Sequence, residues 1–277
     1  MTKMREISEM EATGSIAEIY NEIREFYAAP YVSSLFRHLA TYPGLLDWIW
    51  EIMHPFMVNG YLQHTGWRLA DVEILRPVTP IDRNDFHKLG IDEQEIRKIA
   101  NVCQTFSRVS PVNLVFSGCL QRLLLKEKIG KTRKGILKCT IPPPLPKMPS
   151  MVPWAQLTIT QKRCLEVFET KLAGEIFVPG IYRILAAWPG YLEYVTKELG
   201  PRLSDKDVLR QCEEIADGIF NSAKEILSFL TVYPSNPPLD EMQMTAVLSA
   251  ISTYRQTSPQ MVGFGTLLFR ALPLSET

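Results

Sequence analysis

Phe36-Arg37-His38-Leu39-Ala40-Thr41-Tyr42-Pro43-Gly44-Leu45-Leu46-Asp47-Trp48 returns in the second half of the chain as Tyr182-Arg183-Ile184-Leu185-Ala186-Ala187-Trp188-Pro189-Gly190-Tyr191-Leu192-Glu193-Tyr194. Arginine, leucine, alanine, proline and glycine recur in step, and Pro55 falls on Pro201. Each copy has apolar residues at helical spacing on both sides of a Pro-Gly break, which predicts two helices joined by a tight turn. A second pair of windows recurs at nearly the same offset: Asp92-Glu93 matches Asp240-Glu241, Thr105-Phe106 matches Thr253-Tyr254, and Ser110-Pro111 matches Ser258-Pro259. Phe116, Leu120, Arg122 and Leu124 then match Phe264, Leu268, Arg270 and Leu272. This period is far longer than that of solenoid repeats. The pattern predicts an all-α protein of two tandem helical repeats, packed as a pseudo-twofold dimer within one chain. A site between the copies would be asymmetric, because each supplies different residues to it.

Outward from the repeat, the remaining segments are helical too. Ser15-Ile16-Ala17-Glu18 has the form of a capping box, followed by Ile16, Ile19, Tyr20, Ile23, Phe26 and Tyr27 on one apolar face. A short helix is expected from Tyr31 to Tyr42, and a third from Pro43-Gly44 that ends or kinks at Pro55. Asp92 is expected to start a helix to about Arg108, and Ser110-Pro111 to open another. Between about Lys126 and Trp154, Lys126, Lys128, Lys131, Arg133, Lys134 and Lys138 lead into Ile141-Pro142-Pro143-Pro144-Leu145-Pro146-Lys147-Met148-Pro149. Proline at that density favours an extended, stiff linker with a solvated basic lead-in. The expected organisation is a first repeat over 1–130, a linker over 131–157 and a second repeat over 158–277.

Composition narrows the class. Of 277 residues, 46% are hydrophobic and 22% charged, and thirty basic residues balance thirty acidic ones. That removes the electrostatic argument for nucleic acid. The five cysteines, Cys103, Cys119, Cys139, Cys164 and Cys212, are scattered and never spaced CxxC, which argues against a disulfide framework or a zinc knuckle. The polar start MTKMREISEMEATG has no apolar signal core, and no long uncharged apolar run suits a membrane. The expectation is a cytoplasmic globular protein.

Chemistry is sparse. His38, His54, His64 and His87 form no i,i+3 or i,i+4 pair, so no metal site is expected. No nucleophile elbow, P-loop or GxGxxG fingerprint occurs. Cys119 and Cys164 lie on mainly apolar faces and are expected to be inert buried thiols. Ser110-Pro111 and Pro179-Gly180 each have the form of a helix start, where free N–H groups favour a carboxylate, although ordinary capping is the simpler reading of each taken singly.

Leu39-Ala40-Thr41-Tyr42-Pro43-Gly44, Gly90-Ile91-Asp92 with Glu95-Ile96, and Leu185-Ala186-Ala187-Trp188-Pro189 together resemble the group I 2-haloacid dehalogenases, which act on both enantiomers. The resemblance runs from about Ile16 to Leu268 and includes the duplication. It implies an all-α pseudo-dimer that needs no metal and no cofactor. In that family an aspartate activates water, which displaces the halide directly with inversion, while backbone donors hold the substrate carboxylate. Counting back from Trp188-Pro189, the family's Ser-Asp pair falls on Gly180-Ile181, so the base is missing and the nearest carboxylate is Glu175. The family's asparagine before a proline falls on Ser110, its tryptophan and phenylalanine walls on Tyr31 and Ser34, and a threonine near Asn59.

Three readings follow. The first is a divergent cofactor-free enzyme acting on a small organic acid or related metabolite, its pocket lined by Tyr31, Ser34, Asn59, Ser110, Gly180 and Ile181, with Tyr31 or Ser110 as proton relays. The second is a non-catalytic protein that binds a small molecule or a partner. The third is a true hydrolytic dehalogenase with a relocated base, Glu175 first in line. In each the ligand is a small molecule, with neither nucleic acid nor membrane as partner. Either a monomer or a homodimer can build the site, because one chain already contains both copies.

Overall fold

The computed structural model describes residues 5–128, 135–172, 175–232 and 234–274, and the backbone alone of residues 171, 172, 175 and 177. Its helices are α1 (Gly14–Phe26), α2 (Ser34–Leu39), α3 (Leu45–Val58), α4 (Tyr61–Leu69), α5 (Arg83–Lys88), α6 (Glu93–Leu124), α7 (Ile159–Glu166), α8 (Gly180–Leu185), α9 (Pro189–Leu199), α10 (Lys206–Asn221), α11 (Ala223–Leu227) and α12 (Glu241–Arg270). The all-α reading holds, with one small departure. Strands β1 (Thr170–Leu172) and β2 (Glu175–Phe177) pair antiparallel, with Thr170 opposite Phe177. Three residues per strand are too few for alternation to register in a sequence.

The repeated stretch forms α2–α3 in one half, broken at Pro43-Gly44, and α8–α9 in the other, where Pro189 already opens α9 and the break falls on residues 186–188. The two glycines are kept for different reasons. Gly44 precedes α3 at φ +73°, a left-handed conformation costly to any residue with a Cβ. Gly190 lies inside α9, where a Cβ would come within 2.8 Å of Leu89 Cδ2. The matched aspartates do share a role. Asp92 accepts from the Glu95 N–H (2.8 Å) at the start of α6, and Asp240 from the Gln243 N–H (2.7 Å) at the start of α12. Gln243 accepts in return from the Asp240 N–H (3.0 Å), completing a capping box.

Other local expectations are corrected. The helix expected over Tyr31 to Tyr42 is only Ser34–Leu39. Helix α1 begins before Ser15, so the Ser15–Glu18 box does not form; Ser15 is already inside the helix. Pro55 sits within the last turn of α3, which ends at Val58. Ser110-Pro111 opens no helix, because α6 runs unbroken through Pro111. An interior proline costs roughly 3 kcal/mol, whereas burying each Val, Leu or Phe side chain contributes about 1.5–3 kcal/mol. Val109, Val112, Leu114, Val115 and Phe116 are all buried around it, so burial wins.

The Pro-rich segment is extended, as expected, but it is docked. Cys139 N–H donates to Asn59 O (2.7 Å) and Leu145 N–H to Ala28 O (3.0 Å). Arg108 Nη1 donates to Pro143 O (2.7 Å) and to Ala28 O (2.8 Å). Farther along, Asn101 Nδ2 donates to Pro146 O (2.7 Å). Lys131, Arg133 and Lys134 of the basic lead-in lie outside the described residues.

Two compact units emerge: residues 1–70, 108–145 and 216–256, and residues 71–107, 146–215 and 257–277. Each draws on both halves of the sequence. The first is centred on Phe36, which meets Phe116 edge-on at 4.7 Å, with Tyr27 and Trp50 around it. In the second, Phe168 stacks on Tyr182 at 3.8 Å and Phe86 on Tyr191 at 5.5 Å. No helix among the described residues is long and apolar enough to cross a membrane.

Candidate functional site

The expected site residues divide between the units: Tyr31, Ser34, Asn59 and Ser110 in the first, Gly180 and Ile181 in the second. In the first unit, Tyr31 and Ser34 come together with Arg37 on the opening turn of α2. Arg37 Nη2 donates to Ser34 Oγ (2.9 Å), and its guanidinium lies over the Tyr31 ring, 5.8 Å from the centroid. Arg37 Nε also faces Glu6 Oε2 at 3.0 Å. The segment carrying Glu6 is tied down by Ile7 N–H to Arg37 O (3.0 Å), Tyr20 OH to Ile7 O (2.9 Å) and a contact between His38 Nδ1 and Arg5 O (2.9 Å). Tyr254 completes the group, lying with Tyr31 beside Ser34 and Arg37. Burial raises the pKa of both phenols, so they remain neutral donors near pH 7 and are not bases there. Burial works against the Arg37 charge, but Tyr31, Glu6, Glu9 and Tyr254 outweigh it, and its pKa rises.

The other two expected residues of this unit serve the fold. Ser110 is buried inside α6, where its N–H is committed to the helix ladder, so the expected anion-binding start is not there. Asn59 caps α3, donating from Nδ2 to Pro55 O (2.7 Å), and its carbonyl holds Cys139.

In the second unit Gly180 opens α8, but that end is crowded. A Cβ at Gly180 would lie 3.2 Å from Phe106 Cζ and 3.3 Å from Met151 Cε. Ile181 follows, 1% exposed. A Cβ at Gly265 would sit 3.6 Å from its Cδ1 and 3.4 Å from Ser107 Oγ, and Ser107 Oγ accepts from Thr266 Oγ1 (3.1 Å). Glu175 opens β2; its side chain lies outside the described residues. Trp188 Nε1 donates to Glu95 Oε2 (2.5 Å), so two residues of the family-like motifs hold each other. Hydrogen bonds from Lys98 and Trp188 keep the Glu95 carboxyl below its ordinary range.

No group of His, Cys, Asp or Glu among the described residues is arranged to hold a metal ion. Burial pushes the Cys103 thiol up to about 12 and the Cys212 thiol to about 11, and raises Cys119 further. None of the three is a ready nucleophile. Cys164, expected to be buried, is half-exposed. Two surface clefts are present, one beside Leu75, Pro77 and Arg270, the other beside Glu22, Trp50 and His54; neither includes an expected site residue.

Arg37, Tyr254 and Glu6 were not among the expected site residues. Arg37 and Tyr254 had a signal, since each recurs, as Arg183 and Phe106. Glu6 had none, because its partner is distant in the chain.

No family model matches the sequence. A configuration-inverting 2-haloacid dehalogenase of Alcaligenes xylosoxydans xylosoxydans is 25% identical over 246 residues, 82% of each chain. An (R)-2-haloacid dehalogenase of Pseudomonas putida is 21% identical over 206 residues, 72% of this chain and 68% of the relative. Among solved structures, a D-2-haloacid dehalogenase mutant superposes with a TM-score of 0.77 at 19% identity, covering 98% of this chain and 96% of that one. A mutant in complex with D-2-CPA does so with a TM-score of 0.74 at 18% identity, over the same shares. The chain is thus similar in sequence, over 82% of its length, to a 2-haloacid dehalogenase, and over 98% of it shares the fold of a D-2-haloacid dehalogenase.

Proposed function

We propose that the chain is a divergent protein of the group I 2-haloacid dehalogenase type. On this reading it takes a small organic acid without metal or cofactor, and it is not an efficient hydrolytic dehalogenase by the family mechanism. One observation carries the reading: Ile181, at the position that motif counting assigns to the family's aspartate, is a buried hydrocarbon side chain. It cannot accept a proton from water. A positioned base contributes roughly 10²–10⁴-fold, and water without one displaces halide very slowly. The repeated windows support a duplicated origin for the two halves, and the matching helix starts Ser34 and Gly180 agree with it. Five unpaired cysteines fit a reducing, cytoplasmic setting.

The names of the relatives favour a second reading, a working dehalogenase whose base lies elsewhere, with Glu175 the first to test. Halide release from D- and L-2-chloropropionate by the purified wild-type protein decides between the two. The first reading expects turnover at least about a hundredfold below that of a relative bearing the aspartate. Efficient release from either enantiomer overturns it. Ile181→Asp run alongside tests the register: a gain of release means that a base again stands where water is activated.

A further inference from the structure

Arg37 already faces a carboxylate, that of Glu6, at 3.0 Å. A guanidinium presents parallel N–H groups to a planar anion, and here one edge donates to Ser34 while Nε faces Glu6. Around it stand the neutral phenols Tyr31 and Tyr254. Next to Ser34, the Ser33 hydroxyl is buried and meets no partner among the described residues, a donor that the resting arrangement leaves unused. The recurring arginine of the second half is used differently. Arg183 lies over the Trp154 ring at 5.2 Å and donates to Val152 O (3.2 Å). The same residue thus meets a carbonyl and a ring in one half and a carboxylate in the other.

The backbone either side of Glu6 is tied down, so only its side chain would move. Glu6 sits on a non-helical segment ahead of α1, and the Arg37 and Glu6 side chains are 21% and 26% exposed. A partly exposed pair of this kind is weak enough for a dissolved anion to compete with it.

We infer that Arg37 receives the carboxylate of the ligand and that Glu6 is its internal stand-in, displaced when a small organic acid binds. This rests on the small-acid reading above and adds to it the residue that recognises the acid and a contact that holds the unliganded site shut. Binding and chemistry are separable here, because displacement of Glu6 requires no base.

The test is titration calorimetry with D- and L-2-chloropropionate on the full-length protein, with 2-chloropropionamide as the uncharged control. Glu6→Gln removes the competitor and is expected to tighten binding of at least one enantiomer about five- to tenfold. Arg37→Gln is expected to abolish binding, with circular dichroism confirming that the variant is folded, and the amide is expected not to bind wild type. Unchanged or weaker affinity in Glu6→Gln overturns the inference, and that variant alters only a half-exposed side chain, so it does not depend on Arg37→Gln folding. Equal binding of acid and amide overturns it too. Halide release is read separately: a wild type that dehalogenates refutes the missing-base reading and leaves the Glu6 result standing on its own.

Discussion

Replacing Ile181 by aspartate puts a charge where the structure has only hydrocarbon, and the cost can be worked out. The side chain is 1% exposed and packs on α8 near Gly265 and Ser107. Losing most of an isoleucine from such a position costs about 2–5 kcal/mol. The carboxyl adds a second, pH-dependent penalty. Burial disfavours its charged form and raises its folded-state pKa above the unfolded value of about 3.9. Between those two values the native state holds the proton and the unfolded chain has lost it. The variant therefore loses about 1.4 kcal/mol of stability for each pH unit climbed in that interval, and the loss levels off above the folded pKa. The Ser107 hydroxyl can offset part of the penalty only by giving up the bond it donates to Cys103 O (3.0 Å). Urea unfolding of wild type and variant at pH 5 and pH 8 measures both parts. The expected difference is at least about 2 kcal/mol at pH 5 and larger at pH 8. A difference below about 1 kcal/mol that does not change with pH would refute the packing described for α8.

Three further outcomes follow from the packing of the first unit. Gly118→Ala would place a Cβ 2.2 Å from Phe220 O and 2.9 Å from Ala223 Cβ, which only a backbone shift relieves. Thermal unfolding should show a loss of about 1–3 kcal/mol, whereas Gly218→Ala, with nothing within 4 Å, should stabilise by roughly 0.5–1 kcal/mol. Arg108→Ala removes two hydrogen bonds, one to Pro143 O and one to Ala28 O, and should speed limited proteolysis within residues 135–145 severalfold, read by mass spectrometry of the fragments.

What the sequence disclosed depended on whether the deciding contact is local. Asp92 and Asp240 were legible because a cap is made within four residues of itself, and the Pro-Gly breaks because a turn is equally short-range. Ser110-Pro111 was misread for the same reason. Serine before proline looks identical at a helix start and in a helix interior, and only the burial of Val109, Val112 and Phe116 shows that α6 continues. The Pro-rich segment gave up its extended form but not its docking, which depends on Asn59, Ala28 and Arg108, far away in the chain. Glu6 beside Arg37 belongs to the same kind.

The recurring residues also show how far one copy can stand for the other. Gly44 and Gly190 match, yet one answers a backbone angle and the other a neighbouring side chain. Arg37 and Arg183 match, yet their partners differ in kind. Role therefore cannot be carried between copies by letter, but position can. Helices α2 and α8 both begin at the same distance before their Pro-Gly, at Ser34 and Gly180, so counting back from Trp188-Pro189 follows a register that the backbone itself keeps. Should that count still be out by one, it lands on Gly180 or Tyr182, and neither is a carboxylate. In all three registers the position therefore lacks a carboxylate. Only a carboxylate from another part of the chain could then serve as the base, and wild-type halide release would reveal it.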